Sequence, residues 1–431
     1  MLTSIALLFG VCVASQADQG TVIGATATPE SVGFSTARLE RINERMREAV
    51  DAGVMVGGHA IIAKDNQLVF DEHWGMADRE AERPMRGDAL YRIYSMTKPV
   101  TAVALMMLYE QGLFLLEDPV AKYLPELANL RLAVVNEDVD GQMEYRAPQR
   151  QPTIRDLLRH TAGLTYGLFS DTAVDKAYRD ASLLQASTLE EFVDRLGKLP
   201  LLLEPGTRWH YSVSVDVQGR LVEVLSGQRL SEFTREKLFA PLDMDDTFFV
   251  VPEDKRSRMA QLYTPKGTEV SWNALWKFTT VQELEPASAE LSQGYYDGSL
   301  FESGGAGLVS SAHDYLRFAL MLANGGELDG VRILAPRTIE HMRADHIQGV
   351  DSVGLWAMDA FGLGVGITAD TSTKSGELGA NGAYGWGGAA GTNFWVDPVD
   401  KIVGVFMVQS VPHQTDLAKK FRVLTYQALV K

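Results

Sequence analysis

Hydrophobic positions recur along this chain with two periods, and the period switches where one element gives way to the next. After an apolar run at residues 2–14, Leu39, Ile42, Met46 and Val50 repeat at helical spacing behind Ser35 or Thr36, which predicts a capped helix. Two strand-like runs, about residues 55–63 and 67–74, flank Lys64-Asp65-Asn66 and predict a hairpin. A helix hydrophobic on every side follows Ser95-Met96-Thr97-Lys98 through residues 100–108. Beyond Gly112 the texture changes to short helices and proline-containing loops, with amphipathic segments near 154–160, 189–196, 213–225 and 230–238. The last third predicts a helix over 312–323, an antiparallel pair at 392–396 and 402–408, and a closing helix through Leu417, Phe421, Leu424 and Ala428.

Strands near both ends around a helical middle imply one mixed sheet assembled from the two ends of the chain. The expected division is an α/β part from residues 18–111 and 291–431, and a mainly helical part over 112–290, with a site between them. Residues 1–17 read as a secretory signal with a small-residue cleavage site near Ala17, although no Lys or Arg precedes the apolar run. With that signal the protein is periplasmic or secreted; without it, cytoplasmic. No later segment reaches the ~20 apolar residues of a membrane span.

Composition narrows the partners. Of 431 residues, 46% are hydrophobic, enough for a sizeable core. The formal net charge of −16 argues against nucleic acid, whose phosphates need a basic surface. The single cysteine, Cys12, lies in the N-terminal apolar run, so the body of the protein has no internal disulfide, cysteine-rich metal site or thiol nucleophile. The histidines form no H-E-x-x-H pattern, and no G-x-S-x-G elbow is present. The sequence leaves the oligomeric state open.

Three segments carry chemistry. In Ser95-Met96-Thr97-Lys98, a serine three residues before a lysine at the start of a buried helix puts hydroxyl and amine on one face. Serine is a weak nucleophile alone and needs such a neighbour. In Glu204-Pro205-Gly206-Thr207-Arg208-Trp209-His210-Tyr211-Ser212-Val213, a Pro-Gly turn leads to a helix, and Tyr211 at the junction can reach a cleft and shuttle a proton. In Tyr384-Gly385-Trp386-Gly387-Gly388-Ala389-Ala390-Gly391-Thr392, glycines beginning a strand allow close backbone approach to a substrate, and an N–H there paired with that of Ser95 can hold an oxyanion. Lys374-Ser375-Gly376 is a rival third segment, but no strand follows it directly. Ser170-Asp171-Thr172 reads as a surface loop.

In order and context these segments resemble the S-x-x-K, Y-x-N and K-T-G elements of serine β-lactamases and penicillin-binding proteins. The likeness is greatest to the class C β-lactamase branch and, within it, to family VIII carboxylesterases. Leu157-Leu158-Arg159-His160-Thr161-Ala162-Gly163-Leu164 and Gly304-Gly305-Ala306-Gly307-Leu308-Val309-Ser310 fit that branch too, so the resemblance spans roughly residues 30–428. It implies a β-lactamase-like α/β fold, an antiparallel sheet flanked by helices with a mainly helical middle. It further implies that Ser95 is the acylated nucleophile, that Lys98 and Tyr211 share the acid–base work, that the N–H groups of Ser95 and Ala389 form the oxyanion hole, and that no metal or organic cofactor is needed.

Two departures bear on substrate. The third position of the second element is Val213 rather than asparagine, and the third element begins with Trp386 rather than lysine. Losing a lysine removes a charge-assisted contact to a carboxylate, worth roughly 1.5–3 kcal/mol. Both changes point to neutral, fairly apolar esters, with Val213, Trp386, Gly387, Gly388 and Tyr166 expected at the substrate. A short-chain carboxylesterase with weak cephalosporin hydrolysis is the leading reading. A β-lactamase or D-amino-acid peptidase is the alternative, and a non-catalytic binding protein a third.

Overall fold

The computed structural model describes residues 26–135, 143–274, 276, 283–370 and 378–431. The expected signal and Lys374-Ser375-Gly376 lie outside them. A seven-stranded sheet runs in the order Gly366–Ile367, Tyr384–Gly387, Asn393–Asp397, Ile402–Val408, Gly57–Lys64, Gln67–Asp78, Arg83–Pro84. Both ends of the chain contribute, meeting where Gly57–Lys64 pairs with Ile402–Val408. Every pairing is antiparallel, which corrects the mixed sheet read from the hydropathy pattern. Neighbours in this sheet are mostly joined by hairpins, which makes them antiparallel. In the first, Asp65 and Asn66 both take left-handed φ (49° and 62°), the two-residue turn whose twist matches the strands.

Side-chain alternation sorts the core into two layers. Ala60 and Ile62 face one side, with Trp395 and Phe406. The first and last helices, Thr36–Asp51 and Leu417–Ala428, cover that side, and Phe421 packs its ring 5.4 Å from Trp395 and 5.5 Å from Phe406. Ile61, Ala63, Val403 and Val405 face the other side, under helix Ala312–Ala323, where Tyr315 and Phe394 meet edge to face at 5.0 Å. Helix Thr97–Glu110 then lies between this layer and the short helices of the middle, including Ile154–Leu158, Leu189–Leu196 and Ser214–Ser226, and it is buried nearly all round as its composition requires. Ser170-Asp171-Thr172 caps helix Ala173–Asp180: the Thr172 hydroxyl accepts from the Asp175 N–H, and the Asp175 carboxylate accepts from the Thr172 N–H. Among the described residues no helix is long and apolar enough to cross a membrane.

Candidate active site

Ser95 sits in a single 3-10 turn, Tyr94–Met96, that feeds helix Thr97–Glu110. Tyr94, just before it, is held at φ 42°, a conformation that costs a non-glycine residue about 1–3 kcal/mol and persists where packing over-determines it. Here the preceding strand is fixed by a buried arginine: Arg92 donates to the Ala260 carbonyl, to Gln409 Oε1 and to Tyr296 Oη. The turn therefore presents a partly exposed Ser95 above the buried Lys98.

Lys98 Nζ donates to three oxygens: Ser95 Oγ at 3.2 Å, Tyr166 Oη at 3.0 Å and the Gly305 carbonyl at 2.7 Å. An ammonium has three N–H donors, so each is matched. Tyr211 arrives from the loop before helix Ser214–Ser226 and places Oη 2.6 Å from Ser95 Oγ. Its ring face lies 4.7 Å from Lys98 Nζ. Ser95 Oγ thus has two polar neighbours within hydrogen-bond reach, and the Lys98 cation stabilises negative charge on the serine or the tyrosine oxygen.

A second layer fixes the first. Asp216, fully buried, accepts through Oδ1 from the Gly305 N–H and is bonded by Ser303 Oγ, which sets the carbonyl that holds Lys98. Burial pushes the Asp216 carboxyl up from its ordinary value. Burial, with the Asp216 charge second, holds the Tyr166 phenol well above its usual range, so Tyr166 stays neutral and serves as an acceptor for Lys98. His160 lies 5.1 Å from the Tyr211 ring; its Nδ1 accepts from the Ser212 N–H, and burial followed by the Lys98 charge keeps it neutral. His210 bonds Thr165 Oγ1 and holds no part of Ser95.

The third segment approaches Ser95 through close backbone packing. A Cβ on Gly388 would stand 2.4 Å from the Ile93 carbonyl, and the Thr392 hydroxyl donates to that same carbonyl. Glycine is thus required where the turn closes on the nucleophile strand, and Ala389 joins Ser95 in the cleft wall. Among the described residues nothing accepts from the Ala389 N–H, while its carbonyl accepts from the His413 N–H, so the turn is anchored with its amide free.

The cleft above Ser95 encloses about 840 Å³, mouth included, a size that suits a small organic molecule. Its walls are chiefly apolar: Leu168, Phe169, Leu184, Trp272, Trp276 and Phe301 join Tyr166, Tyr211 and Tyr295. The described lining contains no Lys or Arg. Trp356 covers one side, 4.4 Å from Phe169 and 5.2 Å from Tyr211, ring to ring. Tyr296, next along the chain from Tyr295, does not line the cleft and accepts from Arg92 instead.

Not every expected substrate contact lies in this cleft. Val213 is fully buried and fills the core behind Tyr211, which corrects its expected place at the substrate. Trp386 stands with its ring 5.7 Å from Tyr211 and 5.3 Å from Phe361, and with Gly387 it borders a neighbouring groove that includes Met358 and Gly366. Gly388 packs against backbone and does not line the cleft. Gly305, Ser303 and Asp216 were given no part from sequence, and neither were Trp272 and Trp276. The Gly304-Gly305-Ala306-Gly307 run marked the first of these. The two tryptophans sit in a stretch with no periodicity to mark them.

The family model named Beta-lactamase matches residues 42–428. The chain belongs to the beta-lactamase family. It is 31% identical to the esterase EstB of Burkholderia gladioli over 389 residues, 86% of this chain and 91% of that one. It is similar in structure to EstCE1, described as a hydrolase with promiscuous acyltransferase activity, with a TM-score of 0.74, 27% identity and coverage of 90% and 99% of the two chains. The simvastatin synthase LovD of Aspergillus terreus shares the fold, with a TM-score of 0.74 at 21% identity over 91% of this chain and 98% of LovD. The protein is accordingly a serine hydrolase of the β-lactamase fold with esterase relatives.

Proposed function

We propose that this beta-lactamase-family protein is a carboxylesterase that cleaves short-chain, neutral esters through an acyl-enzyme on Ser95. The observation that carries the reading is Ser95 Oγ, 2.6 Å from Tyr211 Oη and 3.2 Å from Lys98 Nζ, at the base of an aromatic cleft without a lining cation. In the first step Ser95 Oγ bonds to the ester carbonyl carbon and its proton passes to Tyr211 Oη, the Tyr211–Lys98 pair entering the step one proton short, as a phenolate beside the ammonium. The carbonyl oxygen becomes an oxyanion facing the N–H groups of Ser95 and Ala389, and the pair returns a proton to the departing alcohol. Water then attacks the acyl-enzyme by the same route in reverse, releasing the acid and restoring Ser95.

Substrate class follows from the walls. A β-lactam or peptide carries a carboxylate that gains from a cation, and Trp386 stands where related enzymes have lysine. Weak cephalosporin hydrolysis follows from the shared nucleophile. The esterase relative EstB and the hydrolase EstCE1 support the ester reading. A paired assay tests it: a chromogenic butyrate ester against a chromogenic cephalosporin, with wild type and Ser95→Ala. Much faster turnover of the cephalosporin would overturn the reading in favour of a β-lactamase.

A further inference from the structure

Away from the Ser95 cleft, and sharing no residue with it, two of the eight histidines flank one carboxylate, and a third, His73, lies beside His59. His59 lies on the central strand Gly57–Lys64, directly opposite His73 on Gln67–Asp78. Asp71 stands two residues before His73, so strand alternation puts His59, Asp71 and His73 on one face of the sheet. Helix Ala312–Ala323 crosses that face and supplies His313 from its first turn. Asp71 Oδ1 is 2.6 Å from His59 Nε2, and Asp71 Oδ2 is 2.8 Å from His313 Nε2. All three ligand atoms lie within 4.8 Å of one another. The His59 ring is fully buried, whereas Asp71 and His313 are 29% and 47% exposed, so the group is closed on the strand side and open to solvent on the helix side.

We propose that His59 Nε2, the Asp71 carboxylate and His313 Nε2 form a binding site for a divalent transition-metal ion of the zinc class, with solvent in the remaining position. Two imidazole nitrogens and one carboxylate oxygen are the donor set that such borderline ions prefer over hard cations. Metal–ligand bonds of about 2.0–2.2 Å at tetrahedral angles put ligand atoms about 3.3 Å apart, so the contacts of Asp71 with His59 and His313 must open by roughly 0.7 and 0.5 Å. The exposed half, Asp71 and His313, supplies that movement while His59 stays fixed in the sheet. Without a metal, the hydrogen bonds from His59 to Asp71 to His313 form a relay that pins the helix to the strands. His59 Nδ1 is buried with no hydrogen-bond partner among the described residues, so the ring is held by packing and by its Nε2 side. The bound ion would join strand, hairpin and helix at one point.

The test titrates chelator-treated full-length protein with Co²⁺, read by its visible absorption, followed by competition with Zn²⁺. The expected result is one equivalent bound in a four- or five-coordinate spectrum, bleached by Zn²⁺, with affinity falling about tenfold or more in both His313→Ala and Asp71→Asn. Zn²⁺ should also raise the melting temperature of wild type and not of His313→Ala, while ester turnover by His313→Ala stays at the wild-type rate. A spectrum of hexa-aquo Co²⁺ alone would overturn the site, as would binding left unchanged in His313→Ala, and the cluster would then be the relay.

Discussion

Removing one oxygen from Tyr211 separates its chemistry from its packing. The Tyr211 ring is held by His160, Tyr166, Trp209, Trp356 and Trp386, with ring centres 5.1–6.3 Å away, and none of those contacts uses the hydroxyl. Oη donates to Ser95 Oγ at 2.6 Å. Tyr211→Phe therefore leaves the cleft wall intact and takes away one of the two groups within reach of the Ser95 proton. A positioned acid–base group contributes typically about 10²–10⁴-fold, or roughly 3–5 kcal/mol of barrier. The loss should fall on kcat for a chromogenic butyrate ester and leave KM near its wild-type value, because binding area is unchanged. Near-ultraviolet circular dichroism checks that the aromatic packing is retained. A kcat within about threefold of wild type, or a raised KM with kcat intact, would refute the assignment of Tyr211 to proton transfer.

Two further outcomes follow from the same geometry. Trp386→Lys restores the cation that Trp386 displaces; a charge-assisted contact of about 1.5–3 kcal/mol corresponds to roughly a 10- to 100-fold rise in cephalosporin kcat/KM relative to the butyrate ester, measured side by side. Burial lowers the His413 imidazole from 6.5 to about 4, so the folded protein resists a proton that the unfolded chain takes up. Its contribution to stability is fully present above pH 6.5 and is lost as pH falls towards 4, about 3 kcal/mol in total. Asp314, raised by burial to about 6, acts in the opposite sense over much of that window. The readout is therefore the difference in denaturant-derived stability between wild type and His413→Gln, which should shrink or reverse between pH 7 and 4 and would contradict the reading if it stayed constant.

Local pattern carried much of the fold. The helices Leu189–Leu196, Ala312–Ala323 and Leu417–Ala428 and the strand Ile402–Val408 lie where the hydrophobic pattern places them, because the helices repeat apolar residues at helical spacing and the strand is one apolar stretch buried along its length. Helix Ala173–Asp180 escaped notice: it begins on a capping box whose residues read as a loop. The resemblance implied an antiparallel sheet, as found, whereas the hydropathy pattern alone pointed to a mixed one. Strand pairing across more than three hundred residues leaves no local trace, and the antiparallel join of Gly57–Lys64 to Ile402–Val408 is of that kind.

At the site, spacing revealed what shares a helix face and little else. Ser95 and Lys98 are three residues apart, so a turn of helix suffices to bring them together. Tyr211 was marked by its turn, yet its distance from Ser95 depends on the whole intervening fold. Val213 shows the limit of motif position: the third place of the element points into the core here, and apolar character alone does not say which way a side chain faces. Asp216 and Gly305 work through another residue, Lys98, and single-sequence patterns carry no mark of such indirect support.

The central claim is a covalent intermediate on one serine, and intact-protein mass spectrometry of acid-quenched turnover measures it directly. With a butyrate ester in excess, wild type should carry one added butyryl group, mapped by peptide analysis to Ser95, and Ser95→Ala should carry none and lose ester turnover. An acyl group on another residue, or turnover that survives Ser95→Ala, would contradict the account.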